Sequence, residues 1–182
     1  MVPCIVRTLR PLAHTQGPQV PPEKPLTASS TATLSEGTAA PYTPVRTARS
    51  TTLPLRTLPY HVLQWGQPQL GTPPLVMVHG WMDVAASYQF VVDALSSERW
   101  VIAPDWRGFG RTPAGGADCF WFPDYLADLD ALLDHVSPDA PVDLVGHSMG
   151  GNVVMLYAGI RPDRIRTLVN LEGFGLPATR PA

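Results

Sequence analysis

Lysine is almost missing from this chain. Of its 13 basic side chains only Lys24 is a lysine, and the arginines that make up the rest are scattered. The formal net charge is −2 and charged residues are 15% of the sequence. No face or run therefore concentrates positive charge, which argues against a nucleic-acid partner or an anionic membrane surface. The arginine bias reads as coding bias rather than as a phosphate-binding device. Cysteine is nearly missing too. Cys4 and Cys119 have no metal-ligand spacing and form no disulfide framework, which fits a reducing, cytoplasmic setting. No apolar run approaches the roughly 18 residues of a membrane span. The segment Met1–Thr8 lacks the sustained apolar core of a secretory signal. No cofactor and no metal is called for by any spacing in the chain.

Regular patterning is also missing from the first quarter. Residues 1–50 are dominated by Pro, Thr, Ala and Ser, and no period of 2 or 3.6 persists. Such a stretch buries too little apolar surface to offset its ordering entropy, so it is expected to be a disordered low-complexity leader. It is acid-poor and contains Arg, as organelle transit peptides do, but Pro is too frequent for their amphipathic helix. Residues 51–182 remain for one domain of ordinary size, in a chain of 182 residues with 45% hydrophobic side chains.

What is present there alternates. Two edge strands are expected, one over 53–58 and one over 60–66, with Pro54 and Pro59 where a missing donor costs least. Leu75-Val76-Met77-Val78 is a buried apolar run, and it leads to His79-Gly80-Trp81. A helix is expected over 85–97, with Phe90, Val91, Ala94 and Leu95 inward. Trp100-Val101-Ile102-Ala103 is the next buried strand. It runs into Asp105-Trp106-Arg107-Gly108-Phe109-Gly110-Arg111-Thr112. Pro123 opens a helix whose apolar face is Leu126, Leu129, Leu132, Leu133 and Val136. Val142-Asp143-Leu144-Val145 leads to Gly146-His147-Ser148-Met149-Gly150-Gly151, and a small-residue helix follows until Pro162. A last strand covers 165–171. Buried strands alternating with helices predict an α/β fold, a mostly parallel sheet with flanking helices. Function in such sheets sits at the carboxyl ends of strands, where all three glycine-rich segments fall.

Gly-x-Ser-x-Gly between a strand and a helix is the form of a nucleophile elbow. Gly146 and Gly150 remove side chains that would collide at a sharp turn, and the hydroxyl of Ser148 is left projecting at the sheet end. The helix that follows aims its N-terminus there and favours negative charge.

With the three segments in this order, residues 52–182 resemble the N-terminal part of an α/β-hydrolase-fold serine hydrolase. His79-Gly80-Trp81, continuing to Asp83, resembles the oxyanion-loop strand end. Asp105 to Thr112 resembles the family's D-x-R-G-x-G-x-S/T loop. The resemblance implies an incomplete fold, about six of eight strands and no cap, truncated after the sixth strand. It implies Ser148 as nucleophile, with the backbone N–H groups of Met149 and Trp81 as oxyanion donors. Side chains at Trp81 and Met149 either line an acyl pocket or simply pack.

The family's order is Ser, then acid, then His, and no histidine follows Ser148. His147 should point away from the hydroxyl, and His79 reads as a structural histidine bonding loop backbone. His135 lies at the wrong end of its helix, and His61 and His14 come earlier still. Asp163 is on the wrong side of the sheet. Glu172, at the carboxyl end of the last strand, is either the triad acid or a carboxylate bonding a loop. Asp105 and Arg107 are expected to pair with each other. The implied activity is hydrolysis of an ester or related acyl substrate, a small molecule bound once the fold is complete, with the chain as it stands inactive. Carbon–carbon bond hydrolysis, acyl transfer, cofactor-free peroxidation or a non-catalytic fragment are the alternatives. Ser at the apex, rather than a carboxylate, argues against the dehalogenase and epoxide-hydrolase branches. Oligomeric state is left open.

Overall fold

The computed structural model describes residues 41–116 and 120–173. Cys4, Cys119, His14 and most of the expected leader lie outside the described residues. Among the described residues, six strands form one sheet in the order β1-β2-β4-β3-β5-β6. They are β1 (Arg49–Leu55), β2 (Leu58–Trp65), β3 (Leu75–Val78), β4 (Val101–Pro104), β5 (Val142–His147) and β6 (Ile165–Leu171). β1 pairs antiparallel with β2, and β2 antiparallel with β4. The pairs β4–β3, β3–β5 and β5–β6 are parallel. Among the described residues, three α-helices flank the sheet: α1 (Gln89–Ala94), α2 (Phe122–Val136) and α3 (Met149–Ile160).

The apolar runs of β3, β4 and β5 are explained by burial on both faces. Val76, Val78, Ile102, Val142 and Leu144 join a core with α2 and α3, which supply Leu129, Leu132, Leu133, Val153 and Val154. Their alternate neighbours Leu75, Met77, Val101, Ala103 and Val145 join a second core with Ala85, Tyr88 and Val92. Successive side chains point to opposite faces, so a strand covered on both sides carries no polar alternation to read.

Two expectations about elements need correction. β2 is not an edge strand. It lies between β1 and β4, and the strand pair carrying Pro54 opposite Pro59 has its edge at β1 alone. The helix expected over 85–97 is a 3-10 turn (Ala85–Tyr88) followed by the short α1. The 3-10 turn advances three residues per turn instead of 3.6, which rotates the inward face. Ala85, Tyr88 and Val92 are therefore buried, while Phe90 and Val91 are exposed. Tyr42 covers part of Phe90, with ring centroids 4.6 Å apart.

Candidate active site

β5 delivers the elbow. Its last residue is His147, and α3 begins at Met149, so a single residue, Ser148, makes the whole reversal. Its backbone has φ 50 and ψ −114, a conformation an L-residue adopts at a cost of about 1–3 kcal/mol. The surroundings hold it there. Ser148 N–H donates to Leu171 O of β6 at 2.8 Å, and Ser148 O accepts from Asn152 N–H at 3.1 Å.

The two elbow glycines are required by contact, as expected. A Cβ on Gly146 would lie 2.4 Å from Gly150 O, and one on Gly150 would lie 2.3 Å from Val78 O. These are backbone atoms, which no rotamer change can move. α3 thereby packs directly on the ends of β3 and β5, with its first N–H groups, unpaired within the helix, at the carboxyl end of the sheet.

The end of β3 closes on the same point. A Cβ on Gly80 would meet Ser148 Cβ at 3.1 Å and His147 Nδ1 at 3.2 Å, so the His79-Gly80-Trp81 turn lies against the elbow. Trp81 follows, 54% exposed, with its ring edge-on to Phe109 at 5.2 Å. Met149 is half-buried in the first turn of α3.

His79 is a structural histidine. It is fully buried. Nδ1–H donates to Gly80 O at 2.8 Å, and Nε2 accepts Trp106 N–H at 2.9 Å. Trp106 Nε1–H returns a bond to His79 O at 3.0 Å. Burial holds the imidazole below its ordinary pKa, so it is neutral at pH 7 and already committed through both ring nitrogens.

The Asp105–Thr112 loop differs from expectation in its ion pairs. Asp105 does not pair with Arg107. Its carboxylate takes His61 Nδ1 at 2.7 Å, Ala85 N–H at 2.8 Å and Arg111 N–H at 2.9 Å. Arg107 instead makes a two-pronged pair with Asp128 of α2, Nε to Oδ2 at 2.5 Å and Nη2 to Oδ1 at 2.6 Å. Asp128 is 1% exposed and also receives Tyr60 Oη at 2.5 Å and Arg56 Nη1 at 3.0 Å. Burial, then the charge of Asp128, pushes the Tyr60 phenol well above its ordinary pKa. A buried carboxylate is tolerated only with partners of this kind, and Asp128, not Asp105, holds the Arg107 guanidinium. Asp128 was legible as a charge at helical spacing from Tyr125 and Leu132 on the inward stripe of α2.

Among the described residues, no histidine or carboxylate is hydrogen-bonded to the Ser148 hydroxyl. His61 is held by Asp105, and His135 is exposed on α2. Glu172 turns the chain just beyond β6 with φ 59 and is exposed. The loop bonds there are made by its neighbours instead: Gly173 N–H donates to Asn170 Oδ1 at 2.8 Å, and Asn170 Nδ2 donates to Gly173 O at 2.6 Å. No group of three or more His, Cys, Asp or Glu among the described residues is arranged to hold a metal ion. No helix of the described residues is long and apolar enough to cross a membrane.

A family model described as alpha/beta hydrolase fold matches residues 73–181, more than half of the chain. The chain belongs to the alpha/beta hydrolase fold family. Within that family it is 31% identical to a serine hydrolase-like protein of Danio rerio over 63% of this chain and 35% of the relative. It is 36% identical to epoxide hydrolase 2 of Siraitia grosvenorii over 55% of this chain and 32% of the relative. Among solved structures, a 2-hydroxy-6-oxo-6-phenylhexa-2,4-dienoate hydrolase from Rhodococcus sp. strain RHA1 superposes with a TM-score of 0.59 at 26% identity. That match covers 68% of this chain and 45% of the other. This alpha/beta hydrolase chain thus spans about a third of the length of the two curated relatives.

Proposed function

We propose that this alpha/beta hydrolase chain carries the nucleophile and oxyanion half of a serine hydrolase site, acting on an ester or related acyl substrate of small size. The observation that carries the reading is the strained, half-buried Ser148 between β5 and α3 at the carboxyl end of the sheet. In the reaction, Ser148 Oγ attacks the carbonyl carbon and the carbonyl oxygen gains the charge. The N–H groups of Met149 and Trp81 receive that charge, each worth about 3 kcal/mol of transition-state stabilisation. Support for Trp81 comes from the packing of Gly80 on Ser148, and for Met149 from its place as the first residue of α3. A serine hydroxyl needs a base to take its proton, so turnover requires a group additional to those bonded around the elbow.

Epoxide hydrolases stand among the relatives. Their chemistry is disfavoured here, since the apex residue is an alcohol where that branch uses a carboxylate. The solved dienoate hydrolase supports carbon–carbon bond hydrolysis as a second reading, one that keeps the same nucleophile and the same donors.

The test is a fluorophosphonate probe on the folded full chain, followed by tryptic mapping. Modification of Ser148 in the peptide Thr112–Arg164, lost in Ser148→Ala, is the expected result. A folded chain whose Ser148 stays unmodified over hours would sink the nucleophile assignment.

A further inference from the structure

Among the described residues, a second serine has the relay that Ser148 is not bonded to. Ser50 Oγ lies 2.8 Å from His61 Nε2, and His61 Nδ1 lies 2.7 Å from Asp105 Oδ2. The three side chains come from β1, β2 and the loop after β4, which are neighbours in the sheet. Ser50 is opposite Leu63, and Thr52 is opposite His61, so Ser50 and His61 are diagonal neighbours on one face, within reach of each other.

The chemistry of the set is ordered. Asp105 accepts from Nδ1–H, which leaves Nε2 as the acceptor for the Ser50 hydroxyl proton. Two backbone N–H groups, of Ala85 and Arg111, fix the carboxylate. His61 N–H donates to Thr112 Oγ1 at 2.9 Å, which fixes the strand beneath the ring. His61 and Asp105 are buried, whereas Ser50 is exposed. The base and its orienting acid are therefore shielded, and the hydroxyl is open to a reagent. A cavity of about 300 Å³ adjoins the set, lined also by Leu63, Val84, Ala86 and Arg111, enough for a small ester. This site is not the elbow. His61 on β2 is three strand spacings from β5, roughly 14 Å, so it cannot serve Ser148.

We propose that Ser50, His61 and Asp105 form a second nucleophilic site, in which Ser50 is acylated by small activated carboxylic esters. With p-nitrophenyl acetate, Ser50 Oγ bonds to the carbonyl carbon as its proton passes to His61 Nε2. The ester C–O bond breaks, p-nitrophenolate leaves with the electron pair, and His61 releases the proton to water. The product is acetyl-Ser50, with no change of oxidation state. The proposal is independent of the Ser148 assignment.

The experiment uses the full chain carrying Ser148→Ala, treated with p-nitrophenyl acetate, with the acetyl group located by mass spectrometry. Trypsin releases Ser50–Arg56, separate from the peptide that holds position 148. The expected result is acetyl-Ser50 formed about a hundredfold faster in the folded chain than in the same chain unfolded in urea, the scale of general-base assistance. The excess should vanish in His61→Gln, and also when Ser50→Ala is added, a change at an exposed strand position that circular dichroism verifies as folded. Equal rates in folded and unfolded chain, or acetylation spread over Thr51, Thr52 and Ser50 alike, would overturn the proposal, whatever Ser148 does with its own probe.

Discussion

Ser148 holds its backbone at φ 50 and ψ −114 against local preference, and only glycine occupies such a conformation without strain. The fold therefore spends stability at the residue proposed to react. Ser148→Gly should release about 1 kcal/mol of strain net of the entropy glycine loses on folding, raising the urea midpoint with an unchanged m-value. Fluorophosphonate labelling of the elbow should disappear in the same protein. A variant less stable than the parent would mean that the hydroxyl contributes more to the fold than the backbone strain removes.

Elements are joined by two buried carboxylates that behave differently. Asp128 on α2 gathers Arg107, Arg56 and Tyr60. Asp128→Asn keeps the shape and removes the charge, leaving the Arg107 guanidinium buried beside a neutral amide. The expected loss is about 3–5 kcal/mol, read from chemical denaturation. Asp143 joins β5 to Arg99 at 2.7 Å and to Arg166 of β6 at 2.5 Å. Burial alone would raise its pKa, but the hydrogen bonds from Arg166 and Arg99 outweigh that and hold it below the ordinary 3.8. The folded state therefore binds this proton more weakly than the unfolded chain. The resulting stability is fully present above about pH 4 and is lost as the pH falls through the folded value. Asp143→Asn should accordingly destabilise at pH 7, and the gap from the parent should narrow below pH 3.8. A gap that stays constant down to pH 2 would show that Asp143 acts by packing alone. The strands and motifs were legible because they rest on local chemistry, namely apolar runs and glycine spacing. The Asp105 and Arg107 partners were not. Those side chains are two positions apart in sequence, yet their partners come from residues 61 and 128, and sheet order decides which partner each one meets.

At the scale of the whole molecule, the sheet has two unlike edges. β1 carries Pro54 and lies beside β2, which carries Pro59. β6 has a hydrogen-bonded neighbour on one side alone among the described strands, and it exposes Val169 and Leu171. An exposed apolar edge strand is a template for association. Val169→Lys should raise the protein concentration at which light scattering begins, with little change in the circular dichroism spectrum. The relay of Ser50, His61 and Asp105 escaped the sequence reading for the reason Asp105's pairing did. Its members are drawn together by the antiparallel return of β2 between β1 and β4, a long-range arrangement with no signature in spacing.

The partners of Asp128 lie 72, 68 and 21 residues away along the chain. The set is complete only when the first hairpin, the loop after β4 and α2 have all met, and long loops close slowly and at entropic cost before any contact rewards them. Asp128 is thus a late event in the life of a folding chain. Replacing it should leave the refolding rate nearly untouched and appear almost wholly as faster unfolding, so that the cluster governs how long each molecule stays folded rather than how soon it gets there.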